Sequence, residues 1–182
     1  MGLFAAAALL LLWVLAGWPL WLAWRARRRP RPVRKSEIFP TASIIIPVRN
    51  GAPYLRRKLE SVLALDYPQD LLEILVVSDG STDATESIAG SFSSRGVRLL
   101  RQPPRGKPAA LNAALQVASG EIVVFTDVRQ PLAPDSLRRL AACFADSEVG
   151  AVSGELRILG SDGSAEAAIG AYWRFESWIR RS

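Results

Sequence analysis

The sequence predicts an α/β protein: a mainly parallel β-sheet flanked by helices and preceded by one transmembrane helix. Three observations lead to this class. Residues 2–24 contain no charge, and from residue 42 short β-branched runs alternate with segments of helical periodicity. Two of these runs end in aspartates, at Asp79 and Asp127. Alternating strands and helices favour a doubly wound sheet, whose ligands bind at the carboxyl ends of the strands.

The N-terminal apolar segment is long enough to cross a bilayer. As a helix, residues 2–24 would extend about 34 Å, against a hydrocarbon core of about 30 Å. Trp18, Trp21 and Trp24 lie near its end, where interfacial aromatic residues are expected. The alternative is a secretory signal peptide. A retained helix is favoured because no Lys or Arg precedes the run, and a basic block occupies the place of a cleavage site.

A basic cluster after this segment predicts its orientation. Seven of the 23 basic residues lie within residues 25–35, with no acid among them, and the rest of the chain is nearly neutral. The positive-inside rule then places the N-terminus outside and all later residues in the cytoplasm, at the cell (inner) membrane. The cluster favours anionic lipid as a partner. It has no interleaved aromatic residues, so nucleic acid is not an expected partner.

The rest of the chain divides into a linker and one domain. Residues 25–41 contain Pro30, Pro32 and Pro40 and predict a basic, extended linker, and residues 42–182 form the predicted α/β domain. Strands are predicted at residues 43–48, 73–78, 97–101, 121–126 and 150–153, and helices at residues 53–65, 83–90, 108–118 and from 134.

Two of these helices carry more specific predictions. In residues 53–65, the apolar residues Leu55, Leu59, Val62 and Leu63 recur at helical spacing, and Arg56, Arg57 and Lys58 are expected to face solvent. At the start of the next helix, Asp83 and Glu86 match the spacing of a capping box.

Composition and missing motifs exclude several classes of function. The chain has no histidine, so imidazole catalysis and histidine-ligated metals are excluded, and a general base must be a carboxylate or a lysine. Cys143 is the only cysteine, which excludes an intrachain disulfide and a multi-cysteine zinc site. The dinucleotide fingerprint is absent after the first strand, and Lys107 is followed by Pro108 instead of the Ser or Thr of a P-loop.

Four ordered motifs resemble the family 2 glycosyltransferases of the Rossmann-like GT-A fold. The resemblance is greatest to membrane-bound synthases of the cellulose, hyaluronan and poly-N-acetylglucosamine type. Residues 43–50 (SIIIPVRN) are similar to the first strand and the turn that meets the nucleotide. Residues 76–83 (VVSDGSTD), 105–112 (RGKPAALN) and 125–127 (FTD) are similar to the D-G-S-x-D, G-K-x-x-A-L-N and D-x-D segments. The resemblance covers about residues 42–182.

The resemblance implies a donor site for a nucleotide-diphosphate sugar, expected to be a UDP-sugar. Its implied residues are Pro47, Asn50, Asp79, Lys107, Asp127 and Arg129. A carboxylate such as Asp79 can accept hydrogen bonds from uracil or ribose, although it also suits a turn in any protein. Lys107 is expected to hold a phosphate, with an ordinary surface lysine as the alternative. Asp83 is expected mainly to cap a helix.

The D-x-D segment departs from the family pattern at its second acid, where Arg129 stands. In similar enzymes that acid touches a divalent metal. Magnesium needs few protein carboxylates when substrate phosphates and water complete its shell, so Asp127 alone can suffice for Mg²⁺ or Mn²⁺. In the alternative, Arg129 itself pairs with diphosphate oxygens.

The implied reaction is an inverting displacement, in which a carboxylate deprotonates a hydroxyl of a glycan or lipid acceptor. The acidic segment that supplies this base in similar enzymes, and their later Q-x-x-R-W motif, are not found. No motif assigns the role to Glu155 or Glu176, so the catalytic residue is unknown.

The aromatic segment 165–181 is expected to be buried or to lie at the membrane surface. The expectation is an N-terminal, donor-binding part of a transferase; the alternative is a non-catalytic module that binds a nucleotide or a partner.

Overall fold

The structure is a computed structural model that describes residues 2–28 and 32–154. The predictions for Glu155, Glu176 and segment 165–181 fall outside these residues, as does part of the linker. The N-terminal helix and the α/β unit Val33–Gly154 belong to separate compact units. Each is described by itself.

The N-terminal unit contains a helix that is long and apolar enough to cross a membrane. It consists of α1 (Gly2–Leu12), a π-helical turn (Trp13–Gly17) and α2 (Trp18–Arg28). The apolar stretch Phe4–Arg25 has 22 residues and a mean hydropathy of 2.0. The π turn lies just before Pro19, which has no N–H to donate to the preceding turn, and the Trp18 N–H bonds the Trp13 carbonyl instead.

Aromatic and basic side chains pair one turn apart at the end of this helix. The Arg25 guanidinium lies 5.4 Å from the Trp21 ring centroid, and that of Arg28 lies 4.4 Å from the Trp24 ring centroid. The helix continues past Trp24 to Arg28. The apolar helix is confirmed as a candidate span, while its orientation and the domain boundaries stay predictions.

The α/β unit is built on a four-stranded parallel sheet, as predicted. Its strands are β1 (Ala42–Val48), β2 (Leu72–Asp79), β3 (Val97–Gln102) and β4 (Ile122–Phe125), in the spatial order β3-β2-β1-β4. The chain moves outward from β1 to β3 and then crosses back to place β4 on the other side of β1. The reversal of strand order between β1 and β4 opens a crevice at their carboxyl ends, where such sheets bind ligands.

Helices cover both faces of this sheet. They are α3 (Ala52–Leu63), α4 (Thr85–Gly90), α5 (Lys107–Leu115) and α6 (Ser136–Ala141). Strand β1 is buried along its whole length, so its alternating side chains serve two cores. Ile44 and Ile46 pack in the larger core with residues of α3, α4 and α6, and Ile45 packs with Ala110 and Ala114 of α5.

Three local predictions are wrong. Residues 150–153 form no strand, and within the described part of the chain they pair with none; Gly150 and Ala151 are poor strand formers. Glu86 does not close a capping box, because its carboxylate instead bonds Ser78 at 2.8 Å and Arg101 at 2.7 Å. Lys58 does not face solvent; it is 1% exposed. It lies three residues after Leu55 and four before Val62, on the buried side of α3.

Candidate functional site

A cavity of about 480 Å³ lies at the carboxyl ends of β1 and β2, beside the segment that follows β4. Its lining comes from the turn after β1, the end of β2, the start of α5 and the segment after β4. All six predicted donor-site residues line it: Pro47, Asn50, Asp79, Lys107, Asp127 and Arg129. Residues up to 82 positions apart in the sequence therefore share one cavity, although their contact with a donor stays a prediction.

Asn50 joins the turn after β1 to the turn after β2. It adopts a positive φ of 51°, which asparagine tolerates better than most residues. Its side-chain oxygen accepts a hydrogen bond from the Thr82 N–H at 2.8 Å, and its own N–H donates to Ser81 Oγ at 3.1 Å. Asn50 thus shapes one wall of the cavity by holding two strand-end turns together.

Asp83 caps two helices at once. Its carboxylate accepts hydrogen bonds from the N–H of Thr85 at the start of α4 and from the N–H of Ala52 at the start of α3, both at 3.0 Å. Burial works to raise the pKa of Asp83, but the bonds from Thr85 and Ala52 outweigh it and lower the pKa. The expected capping role is therefore seen, and it extends to a second helix.

Asp79 organises the loop that leads into α5. Its carboxylate accepts hydrogen bonds from the Arg105 N–H at 2.8 Å, the Gln102 side-chain amide at 2.7 Å and the Gly106 N–H at 2.9 Å. The bond from Arg105, then that from Gln102, lowers the pKa of Asp79, so it is ionised at neutral pH. A carboxylate offers about four lone-pair sites, so roughly one remains for a ligand.

Lys107, Asp127 and Arg129 bring opposite charges to the other side of the cavity. Lys107 Nζ lies 3.6 Å from Asp127 Oδ2, and Asp127 Oδ1 accepts a hydrogen bond from the Arg129 backbone N–H at 2.9 Å. The Arg129 guanidinium lies 5.6 Å from the Tyr54 ring centroid. With Arg49 also in the lining, three cations face two carboxylates, a net positive charge that suits a diphosphate.

Sequence reasoning missed the role of Lys58, which holds the segment carrying Asp127 and Arg129. Lys58 Nζ donates hydrogen bonds to Thr126 Oγ1 and to the Gln130 carbonyl oxygen, both at 2.6 Å. Burial lowers the pKa of Lys58 to about 8, and the nearby negative charge of Asp127 opposes this shift. Its helical spacing with Leu55 and Val62 was the available signal.

A divalent metal fits this site only as one shared with a diphosphate. Across residues 2–28 and 32–154, no group of three or more Asp, Glu, His or Cys side chains could hold an ion unaided. Asp127 is partly exposed, whereas Asp79 is committed to three N–H groups. One carboxylate, diphosphate oxygens and water make a donor set that Mg²⁺ accepts.

The parallel sheet and its switch-point crevice define a doubly wound α/β domain, and the cationic cavity lies where such domains bind their ligands. The family model "Glycosyl transferase family 2" matches residues 43–174, so the chain belongs to glycosyl transferase family 2. The predicted family is thereby confirmed, while the likeness to membrane-bound synthases and the N-terminal character of the chain stay predictions.

Relatives support the family and the fold. The chain is 29% identical over 145 residues to a probable glycosyltransferase, YdaM, of Bacillus subtilis, covering 73% of this chain and 33% of that protein. A solved mannosyltransferase of Pyrobaculum calidifontis, in complex with GDP-Man and Mn²⁺, is 38% identical with a TM-score of 0.72, covering 84% of this chain and 47% of that one.

A second solved structure binds a different nucleotide sugar. Staphylococcus aureus TarS (residues 1–349) in complex with UDP-GlcNAc is 31% identical with a TM-score of 0.54, covering 59% of this chain and 31% of that one. These neighbours confirm the GT-A-like fold and bind nucleotide sugars. The chain spans about a third to a half of the length of the three proteins described.

Proposed function

We propose that the cavity binds a nucleotide-diphosphate sugar, with UDP as the nucleotide, and presents the sugar for transfer with inversion. The observation that carries this is the meeting of Asp79, Lys107, Asp127 and Arg129 in one cavity at the switch point of the sheet. The nucleotide-sugar complexes of the two solved relatives support the class of donor, and they leave UDP and GDP as rivals for the nucleotide.

In this proposal the chain's own residues divide the donor between them. Lys107 and Arg129 pair with diphosphate oxygens and stabilise the charge that develops as the nucleotide leaves. Asp79 holds the loop before α5 and offers its remaining lone pair to the base or ribose. When bound beside Asp127, Mg²⁺ or Mn²⁺ supplies further neutralisation of the diphosphate.

The proposed reaction is a single displacement at the anomeric carbon. The acceptor hydroxyl oxygen bonds to that carbon, its proton passes to a carboxylate, and the carbon–oxygen bond to the diphosphate breaks with its electron pair leaving on the nucleotide. The acceptor is a glycan or a lipid at the cytosolic face of the cell (inner) membrane, as in synthases of the cellulose and hyaluronan type. The apolar helix and its basic flank support this location.

Donor binding without transfer is the second candidate. Among the described acids, only Asp79 and Asp127 line the cavity, and both already accept hydrogen bonds from the chain. The first proposal already assigns Asp79 to the donor loop and Asp127 to the metal, so it leaves no described acid of the cavity for the role of general base. Under this candidate the chain serves as a nucleotide-binding or partner-binding module.

Calorimetric titration of the full-length chain in detergent micelles tests donor binding. UDP and GDP are each titrated with and without Mn²⁺, with uridine and guanosine as controls that lack the diphosphate. We expect UDP to bind at least tenfold more tightly than uridine, and Asp127→Asn to weaken the effect of Mn²⁺. Arg95→Gln is the matched control, because Arg95 is exposed in the turn that precedes β3, at the amino end of that strand and away from the cavity. If neither diphosphate binds under any condition, the proposal fails; tighter binding of GDP would overturn the choice of UDP.

A second measurement separates transfer from binding alone. It follows the release of nucleotide from a bound nucleotide sugar, with and without acceptor.

A further inference from the structure

The Lys58 ammonium is buried beneath the segment that carries two donor-site residues. It is 1% exposed, and its two acceptors, Thr126 Oγ1 and the Gln130 carbonyl oxygen, stand on either side of residues 127–129. One ammonium therefore fixes both ends of a five-residue segment. Asp127 and Arg129 line the cavity from within that segment.

Burying an ammonium group in a protein interior is energetically unfavourable. Removing a lysine side chain from water is unfavourable unless hydrogen bonds and nearby charges compensate, and an apolar residue of similar volume is often neutral or stabilising in its place. Burial lowers the pKa of Lys58 to about 8, because the charged form is less well solvated in the interior than in water. The position thus carries a feature that packing alone does not need.

The segment has few other ties that hold its shape. Beyond Lys58, the Thr126 N–H bonds the Ile45 carbonyl at 3.2 Å, where the strand pairing of β4 ends, and the Gln130 N–H bonds the Asp127 carbonyl at 3.4 Å. Val128 packs partly buried against the larger core. The Asp127 side chain bonds only within the segment, to the Arg129 N–H. Its contact with Lys107 at 3.6 Å joins two partly exposed side chains and holds it weakly.

We propose that Lys58 is a positioning residue for the donor diphosphate, holding residues 126–130 so that Asp127 and Arg129 face it together. This rests on the proposed function of the cavity. Lys58 acts through the segment and does not touch the donor. The positive charge of Lys58 also lies near Asp127 and offsets part of its negative charge, which lowers the repulsion between Asp127 and a diphosphate.

The test compares Lys58→Met with the wild-type full-length chain in detergent micelles. Methionine matches the length of the lysine stem and removes both hydrogen bonds. Calorimetry measures affinity for UDP and GDP and for the matching nucleosides, and hydrogen–deuterium exchange measures protection of residues 126–130. We expect diphosphate affinity to fall at least tenfold, nucleoside affinity to change less than twofold, and exchange in the segment to rise at least fivefold.

Two further variants keep the test decisive. Thr126→Val removes one of the two acceptors without changing side-chain volume, and we expect about a threefold loss of diphosphate affinity even if Lys58→Met fails to fold. Ser61→Ala is the matched control on the same helix: Ser61 Oγ accepts the Leu132 N–H at 3.2 Å, just beyond the segment, and we expect unchanged affinity.

Parallel losses of nucleoside and diphosphate affinity would show a merely structural lysine and overturn the proposal, as would unchanged affinity with unchanged exchange. A wild-type chain that binds neither UDP nor GDP refutes the proposed function. In that case, hydrogen–deuterium exchange of residues 126–130 in Lys58→Met still shows whether the lysine orders this segment.

Discussion

Substitution of Gly80 tests how tightly the turn after β2 supports the loop before α5. Gly80 has a φ of +65°, and a Cβ there would lie 2.6 Å from Pro104 Cδ and 2.9 Å from the Pro104 backbone nitrogen. An L-residue in this left-handed conformation costs about 1 to 2 kcal/mol, and forcing atoms into a packed site costs about 1 to 3 kcal/mol more. Gly80→Ala should therefore destabilise the α/β unit by about 2 to 5 kcal/mol.

Gly96→Ala is the matched control for the backbone term. Gly96 also has a positive φ, of +84°, but a Cβ there would meet no atom within 4 Å. Gly96→Ala should therefore destabilise the protein only by the conformational cost of about 1 to 2 kcal/mol. The difference between the two variants isolates the contact with Pro104.

Pulse proteolysis across a urea gradient, on the full-length chain in detergent, measures both free energies of unfolding. Tryptophan fluorescence is unsuitable because no tryptophan lies in residues 33–154. Gly80→Ala should also weaken binding of UDP or GDP, since the displaced loop carries Gly106 and leads to Lys107, and Gly96→Ala should not. If Gly80→Ala destabilises no more than Gly96→Ala, the approach of Pro104 is not a constraint and the reasoning is wrong.

Three further predictions concern charge. Lys107→Met should lower affinity for UDP or GDP about tenfold in calorimetry, because one charge-assisted hydrogen bond to the diphosphate is lost. Affinity for the nucleosides should not change, and equal losses for nucleotides and nucleosides would contradict a phosphate contact. Arg129→Asp restores an acid two residues after Asp127, so Mn²⁺ should tighten diphosphate binding at least fivefold more than in wild type, and a chelator should abolish the gain. The bonds from Arg101 and Ser78 lower the pKa of Glu86 below its ordinary 4.5. A lowered folded-state pKa gives stability above pH 4.5 that is lost as pH falls through the folded value. The stability difference between wild type and Glu86→Gln should therefore be full at pH 7 and vanish in acid, and a pH-independent difference in urea unfolding would argue against it.

Strands and their polar ends were readable from the sequence because both depend on neighbouring residues. Strand β1 is rich in β-branched residues, and Ser78 and Asp79 end the apolar run of β2, so a parallel sheet with acids at its carboxyl edge follows from pattern alone. The run at 150–153 shows the limit of this reasoning. Of its four residues only Val152 favours a strand, and pairing also depends on a neighbour that propensity does not report.

The hydrogen-bond partners of individual side chains could not be predicted from the sequence. Asp83 and Glu86 have the spacing of a capping box, yet Glu86 turns to Arg101 of β3, which the crossover brings beside α4. Charge alone assigned Lys58 to solvent, whereas helical periodicity placed it among Leu55 and Val62. Its acceptors, at positions 126 and 130, are distant in sequence, so only the fold reveals why a lysine is there.

The sequence by itself determined the apolar helix, the alternation of strands and helices, and the family to which the motifs belong, because these follow from composition, period and short-range spacing. The tertiary structure decided the return of β4 to the side of β1, and with it the cavity shared by Asp79, Lys107 and Asp127. It also decided that Asp79 holds a loop and that Lys58 holds a segment. Hydrogen-bond partners far apart in the chain meet only after burial has placed their strands and helices, and no local pattern encodes that meeting.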